Sequence, residues 1–299
     1  MREAKLDVRS TAITVVIATL GGPTLQATID ALNRGTIAPA EILICIPEKE
    51  AAHVQISAAA NTKIVVTPCR GQVAQRVIGF QQAKNEFVVQ MDDDMFPATD
   101  CLEMLLIAIF SQNNIAVAPA LVNCRTEQSV YLTARNVGFF NWIYYFIMNG
   151  RAGYKEGAIL KSGVPIGLIP NPDVKGMVEV EWLAGGCVMH RRSNLVLKNY
   201  FHFPGKAYCE DMIHSHLLRQ SGVRLFIETR SACGLYLVSA FDDEVRQFFR
   251  HTKAEMAVRR YFMKLSDRGT ARMYVFYAAL VLRYMFKYLT KKSGMQVEH

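Results

Sequence analysis

Four short apolar runs, separated by turns and helix-patterned stretches, constrain this chain more than any other feature. Ile13-Thr-Val-Val-Ile17, Glu41-Ile-Leu-Ile-Cys-Ile46, Ile64-Val-Val66 and Glu86 to Gln90 each read as a buried strand. The first ends in the loop Ala18-Thr-Leu-Gly-Gly-Pro23, and Pro47 stops the second. Leu25 to Asn33, Gly71 to Asn85 and Cys101 to Phe110 carry helical patterning, with Val73, Val77, Ile78 and Ala83 on one stripe of the second. Further strands are expected at Ile115 to Ala118, Glu179 to Leu183, Cys187 to Met189 and Arg224 to Glu228, and a helix over Glu210 to Gln220. Strands alternating with helices predict an α/β chain with a mostly parallel, doubly wound sheet flanked by helices. A chain of 299 residues, 51% of them apolar, can bury such a core. Residues 123–178 are irregular, aromatic-rich (Phe139, Phe140, Trp142, Tyr144, Tyr145, Phe146) and then Gly/Pro-rich, and read as an insertion or an acceptor-side loop.

Asp92-Asp93-Asp94 follows the fourth strand directly. Open α/β sheets bind ligands at the carboxyl ends of their strands. Hard carboxylate oxygens there suit Mg²⁺ or Mn²⁺, and those ions suit a diphosphate. An isolated acidic triplet also fits a solvated turn or a helix cap, so its context decides.

That context is Thr19 after the first strand, Gln75-Arg76 on the helix before the triplet, Trp182-Leu-Ala-Gly-Gly186, and Glu210-Asp211. In this order and at these separations the pieces, spread over about residues 11–235, resemble an inverting family 2 glycosyltransferase of the GT-A (Rossmann-like) fold. The resemblance implies that a nucleotide-sugar donor and a metal are held by the triplet. Asp94 and Asp92 would be metal ligands, Asp92 would also face the ribose, and Asp93 would lend support from the other side of the segment. Thr19 would approach the base, and Arg76 would meet phosphate or base edges. Asp211 would be the catalytic base and Glu210 would orient the acceptor. Trp182, Gly185 and Gly186 would meet donor sugar or acceptor. Each piece has a plainer alternative: a surface arginine, an acidic pair favoured by a helix N-terminus, or a core tryptophan.

Two positions depart from the family pattern. Where the family carries a base-reading aspartate after the second strand, this chain has Ile46-Pro47-Glu48, so Glu48 either substitutes or the base is read otherwise. The late stretch Ser231-Ala-Cys-Gly234 lacks the histidine found in many relatives. Two other functions stand as alternatives. A sugar-phosphate nucleotidyltransferase would want an arginine in the loop Leu20-Gly-Gly-Pro-Thr24, which has none. A non-catalytic nucleotide-sugar or membrane-binding protein would need no base.

The net charge of +8 is concentrated at one end. Residues 246–292 hold twelve Lys/Arg against Glu255 and Asp267, interleaved with aromatic residues. Residues 1–240 are therefore expected to form the GT-A domain and 241–299 a basic, amphipathic helical appendage. Met273 to Leu282 is too short an apolar stretch to cross a bilayer. The segment reads as lying on an anionic membrane surface; no nucleic-acid motif accompanies it, and nucleic acid is not an expected partner. Seven scattered cysteines without a C-x-x-C pair imply free thiols in a reducing compartment. The first twenty residues lack the apolar core of a secretory signal. The expected location is cytoplasmic, peripheral on the inner face of a membrane, where a saccharide or lipid-linked acceptor would be met.

Overall fold

The computed structural model describes residues 8–52, 54, 56–57, 59–131, 139–151, 153–169, 176–203, 207–237 and 244–294. The chain divides into two compact units, one of residues 1–133 and 167–237, the other of 134–166 and 238–299. The second unit therefore joins the basic C-terminal segment to part of the stretch that the sequence left irregular.

The first unit is built on one nine-stranded sheet. Its strands are β1 (Ile13–Ala18), β2 (Glu41–Pro47), β3 (Thr62–Thr67), β4 (Phe87–Met91), β5 (Phe96–Pro97), β6 (Ile115–Asn123), β7 (Met177–Val180), β8 (Cys187–Arg191) and β9 (Arg224–Leu235). Its helices are α1 (Leu25–Asn33), α2 (Glu48–Ala51), α3 (Gln72–Gln82), α4 (Cys101–Ser111) and α6 (Glu210–Gln220). The expected α/β architecture is present, and α1 and α6 match the sequence reading at both ends.

The sheet is mixed where a mostly parallel one was expected. Pairings β1–β2, β2–β3, β1–β4 and β6–β9 are parallel. Pairings β4–β8, β6–β8, β5–β9 and β7–β9 are antiparallel. The reversal of β8 has a local reason. Gly185-Gly186 leads into β8 beside the end of β4, where the Asp92 N–H donates to the Gly186 carbonyl at 2.9 Å. A strand that starts where β4 ends must run back against it. Hydrophobic periodicity reports burial and not direction, so the sequence carries no sign of this.

Alternation along β1 sends Ile13, Val15 and Ile17 into the core under α1 and α4, and Val16 into the core under α3. Covering both faces is what makes these strands apolar throughout. Gly79 lets α3 lie directly on the sheet, since a β-carbon there would stand 2.4 Å from Val16 Cγ1 and 2.6 Å from Cys45 Sγ. All seven cysteines are free thiols. Cys101 on α4, Cys187 on β8 and Cys233 on β9 meet in the core, where hydrogen bonding to Cys187 and then burial push the Cys101 thiol well up.

The second unit contains α5 (Phe139–Asn149), α7 (Val245–Leu265) and α8 (Ala271–Gly294). The α5 helix was not expected, and its Phe140 side chain lies outside the described residues. Inside this unit Arg259 is buried, donating to the Gly163 carbonyl at 2.6 Å and to Tyr277 Oη at 2.9 Å. Phe248 stacks on Tyr284 at 3.6 Å between centroids, fastening α7 to α8. Among the described residues no helix is long and apolar enough to cross a membrane.

Replacing Gly79 with Ala should destabilise the first unit by about 1–3 kcal/mol through overpacking. Urea unfolding followed by circular dichroism measures it, and an unchanged midpoint would contradict the close helix–sheet contact.

Candidate functional site

The carboxyl ends of β1 and β4, the start of α3 and the start of α6 surround a cleft of ≈ 1030 Å³. Thr19, Gly22, Gln72 and Gln75, all three aspartates of the triplet, and Glu210 and Asp211 line it. Of the residues predicted from sequence, Thr19, Asp92, Asp93, Asp94, Glu210 and Asp211 thus share one wall system. Glu48 is exposed at the start of α2 and is not among the lining residues.

Thr19 is fixed twice. Gln75 Nε2 donates to its carbonyl at 2.9 Å and to that of Cys45 at 2.7 Å, tying the loop after β1 to the end of β2. The Thr19 hydroxyl donates to the Asp93 carboxylate, and Thr28 Oγ1 donates to the Asp93 carbonyl at 3.0 Å. Asp93 therefore locks the first loop to the acidic one. Asp94 is exposed in the cleft. Asp92 Oδ1 accepts from Gln72 Nε2 at 2.7 Å and from Arg76 Nη2 at 2.6 Å.

Arg76 does not stand in the cleft as a free cation for phosphate. It is 2% exposed, beneath the floor, and its second guanidinium nitrogen pairs with Glu210 Oε1. Burial works against its charge, but Glu210 and then Asp92 hold it protonated far above the normal range. The arginine that lines the cleft is Arg70, exposed and 3.7 Å from Glu50. Both Glu210 oxygens are engaged, since Tyr200 Oη donates to Oε2 at 2.8 Å. Burial alone would raise this carboxyl, yet Arg76, His214 and Tyr200 keep it below the usual range.

Asp211 has the opposite environment. Burial, then the neighbouring charges of Glu210 and Asp92, push its carboxyl well up, against Arg76 and a backbone hydrogen bond from Gly185. Two adjacent carboxyls are thereby driven apart, one held ionised and the other made a strong proton acceptor. The pair begins α6 after Cys209, whose φ of +55° is left-handed backbone that a non-glycine residue adopts at a cost.

Gly185 explains its own residue type. A β-carbon there would lie 2.6 Å from Asp211 Oδ1, 2.8 Å from Gln90 Nε2 and 2.9 Å from Glu210 Oε1. Gln90 Nε2 donates to the Gly185 carbonyl at 2.7 Å. Gly186 packs on the flexible Met95 side chain. Trp182 is 8% exposed, packed edge-to-face on Tyr131 with centroids 6.0 Å apart, and does not line the cleft. Its surroundings are those of a packing residue near the site.

Gln72, Gln90, Tyr200 and Arg70 were missed. Only Gln72 carried a signal, one helical turn before Arg76 on the same face. For a metal, the described residues contain no group of three His, Cys, Asp or Glu ligands. Asp94 and the outer oxygen of Asp92 supply two hard donors to the cleft, which suits an ion that takes its other ligands from phosphate and water.

Two predictions come from this geometry. Gly185→Ala should keep the fold but cut turnover about 10²-fold by displacing the Asp211 carboxylate; wild-type kcat would contradict the packing. Asp211→Asn should stabilise the ligand-free protein at neutral pH. A carboxyl whose folded pKa is raised supports folding fully below its unfolded value, about 4, and loses that support as pH rises through the folded value. The variant's advantage should be absent at acid pH and grow with rising pH to about 2–4 °C in Tm, read by thermal melts across a pH series.

Comparison with known proteins identifies the family and the fold. The sequence model described as glycosyl transferase family 2 matches residues 14–163. No curated protein matches the chain. Among solved structures, GalNAc-T7 with UDP, GalNAc and Mn²⁺ superposes with a TM-score of 0.54 at 18% identity, covering 81% of this chain and 48% of its own. TarS of S. aureus gives 0.46 at 12% identity, covering 83% and 39%. The chain thus spans about half or less of the length of these solved structures, and the likeness to the first is one of fold. With the matched region covering half the sequence, this chain belongs to glycosyl transferase family 2.

Proposed function

We propose that the protein is a metal-dependent, inverting glycosyltransferase that moves a sugar from a nucleotide-sugar donor to a hydroxyl of a saccharide, carried on a lipid at the cytoplasmic face of a membrane. The observation that carries the catalytic part is that Asp211, with its raised proton affinity, faces the same cleft as the aspartate triplet. The basic segment 246–292 supports the membrane part.

In this reading Thr19, held by Gln75 and Asp93, forms the donor wall, and Arg70 at the mouth meets the diphosphate. Asp94 and Asp92 would hold Mg²⁺ or Mn²⁺, which when bound neutralises charge on the leaving diphosphate. Asp211 takes the proton of the acceptor hydroxyl. The hydroxyl oxygen then bonds to the anomeric carbon from the side opposite the diphosphate. The bond from that carbon to the diphosphate oxygen breaks, and the nucleoside diphosphate leaves with the electron pair. Glu210 acts at one remove, by keeping Arg76 charged under Asp92.

The test separates the two halves of the site. Asp211→Asn should lower turnover by at least about 10²-fold while thermal stabilisation by a nucleoside diphosphate with Mn²⁺ persists. Asp94→Ala should lose the metal-dependent part of that stabilisation, which for wild type reaches about 2.7 kcal/mol at a hundredfold excess over Kd. Unchanged turnover in Asp211→Asn would overturn the base assignment, and equal stabilisation without metal would overturn the metal assignment.

A further inference from the structure

The α5 helix exposes a row of aromatic rings. Phe139, Trp142 and Phe146 are 70%, 50% and 51% exposed, and their spacing of three and four places them on one face. The rings stack along the helix, with centroids 6.4 Å and 5.6 Å apart and interplanar angles of 8° and 11°. Within the same unit, α8 buries Met273, Tyr277 and Tyr284 along one stripe. A helix with one stripe so committed should be polar elsewhere. Instead Tyr274, Leu282, Met285, Phe286 and Leu289 lie exposed along a second stripe, with Leu282 and Phe286 each 71% exposed. Exposed Arg283 and Lys287 flank it. Arg272 at the start of α8 donates to the carbonyls of Phe146 at 3.2 Å and of Ile147, so the two helices are fastened to each other.

Charge selects what covers this surface. On α7, Arg246, Arg250, Lys253, Arg260 and Lys264 are all exposed and fall on one stripe by their spacing of four, three, seven and four. That stripe runs along a helix of 21 residues, about 31 Å. A second copy of the chain carries the same excess of positive charge on this unit, which disfavours self-association through it. An anionic bilayer supplies both needs: headgroups for the cations, and a boundary where Trp, Tyr and Phe side chains are favourable.

We infer that α5 and the exposed stripe of α8 insert their rings into the headgroup–acyl boundary of an anionic membrane, toward which the exposed cations of α7 and α8 draw the unit. This deepens the membrane part of the proposed function and rests on it, and it puts a membrane contact at Trp142, outside the basic C-terminal segment.

Trp142 is one of two tryptophans, and the other, Trp182, is 8% exposed. The full-length protein is mixed with phosphatidylcholine vesicles, with or without phosphatidylglycerol, whose acyl chains are brominated. Quenching and a blue shift of tryptophan fluorescence are expected only with the anionic vesicles, and Trp142→Phe should remove them while flotation with vesicles persists. Trp142→Ser with Phe146→Ser should weaken vesicle binding about tenfold and leave transfer to a soluble acceptor unchanged. Flotation without quenching of Trp142 would overturn the inserted α5 and leave a purely electrostatic attachment. No flotation would overturn the membrane reading as well, without touching the catalytic one, which the soluble-acceptor assay reads separately. A dimer in sedimentation that Trp142→Ser dissociates would assign the surface to self-association and overturn the inference.

Discussion

The site depends on one buried cation. Arg76, on a helix packed against the sheet, is 2% exposed, and a guanidinium removed from water that far is tolerated only when opposite charge meets it. Asp92 comes from the end of β4 and Glu210 from the first turn of α6, separated from Arg76 by 16 and 134 residues. One ion-pair network thereby sets the distance between the acidic loop and the helix that carries Asp211. The same network divides the chemistry. It consumes the charge of Glu210, and the uncompensated remainder of negative potential falls on Asp211, the carboxyl left with the raised proton affinity.

Around that network the backbone is shaped to let side chains approach. Gly185 leaves room for three polar groups at once, and Cys209 accepts a left-handed conformation to aim the start of α6. The antiparallel β8 belongs to the same set of constraints, because it delivers Gly185 from the site side of the sheet. The acidic loop and the start of α6 are therefore joined through main chain as well as through charge, in a single unit of the protein.

Much of this was legible in the sequence, for physical reasons that also mark the limits. Strands buried on both faces are apolar runs whatever their neighbours, so β1, β2 and β4 were visible and so was the triplet that ends β4. The helices α1 and α6 stood out at both ends because turn residues and helical patterning bracket them. Strand direction leaves no such trace, and β5 is only two residues long. The place of Arg76 could not be read, because a sequence shows that an arginine exists and not that two distant carboxylates will bury it. Trp182 shows the reverse problem: an indole beside a glycine pair suits stacking on a sugar, yet Tyr131, fifty-one residues earlier, takes its ring. The α5 helix was expected as an irregular stretch because nearly all its residues are apolar or aromatic, a run whose periodicity alone does not assign it.

The three thiols that meet in the core make the fold its own reporter. Thiolate is the reactive form, and the contacts and burial around Cys101 and Cys187 suppress it. Cys69 is exposed. An electrophile added to the native protein will label Cys69 at once, while labelling at Cys101, Cys187 and Cys233 has to wait for α4, β8 and β9 to part. Because Gly185 leads directly into β8, the slow labelling rate is a clock for the opening of the scaffold around the cleft itself.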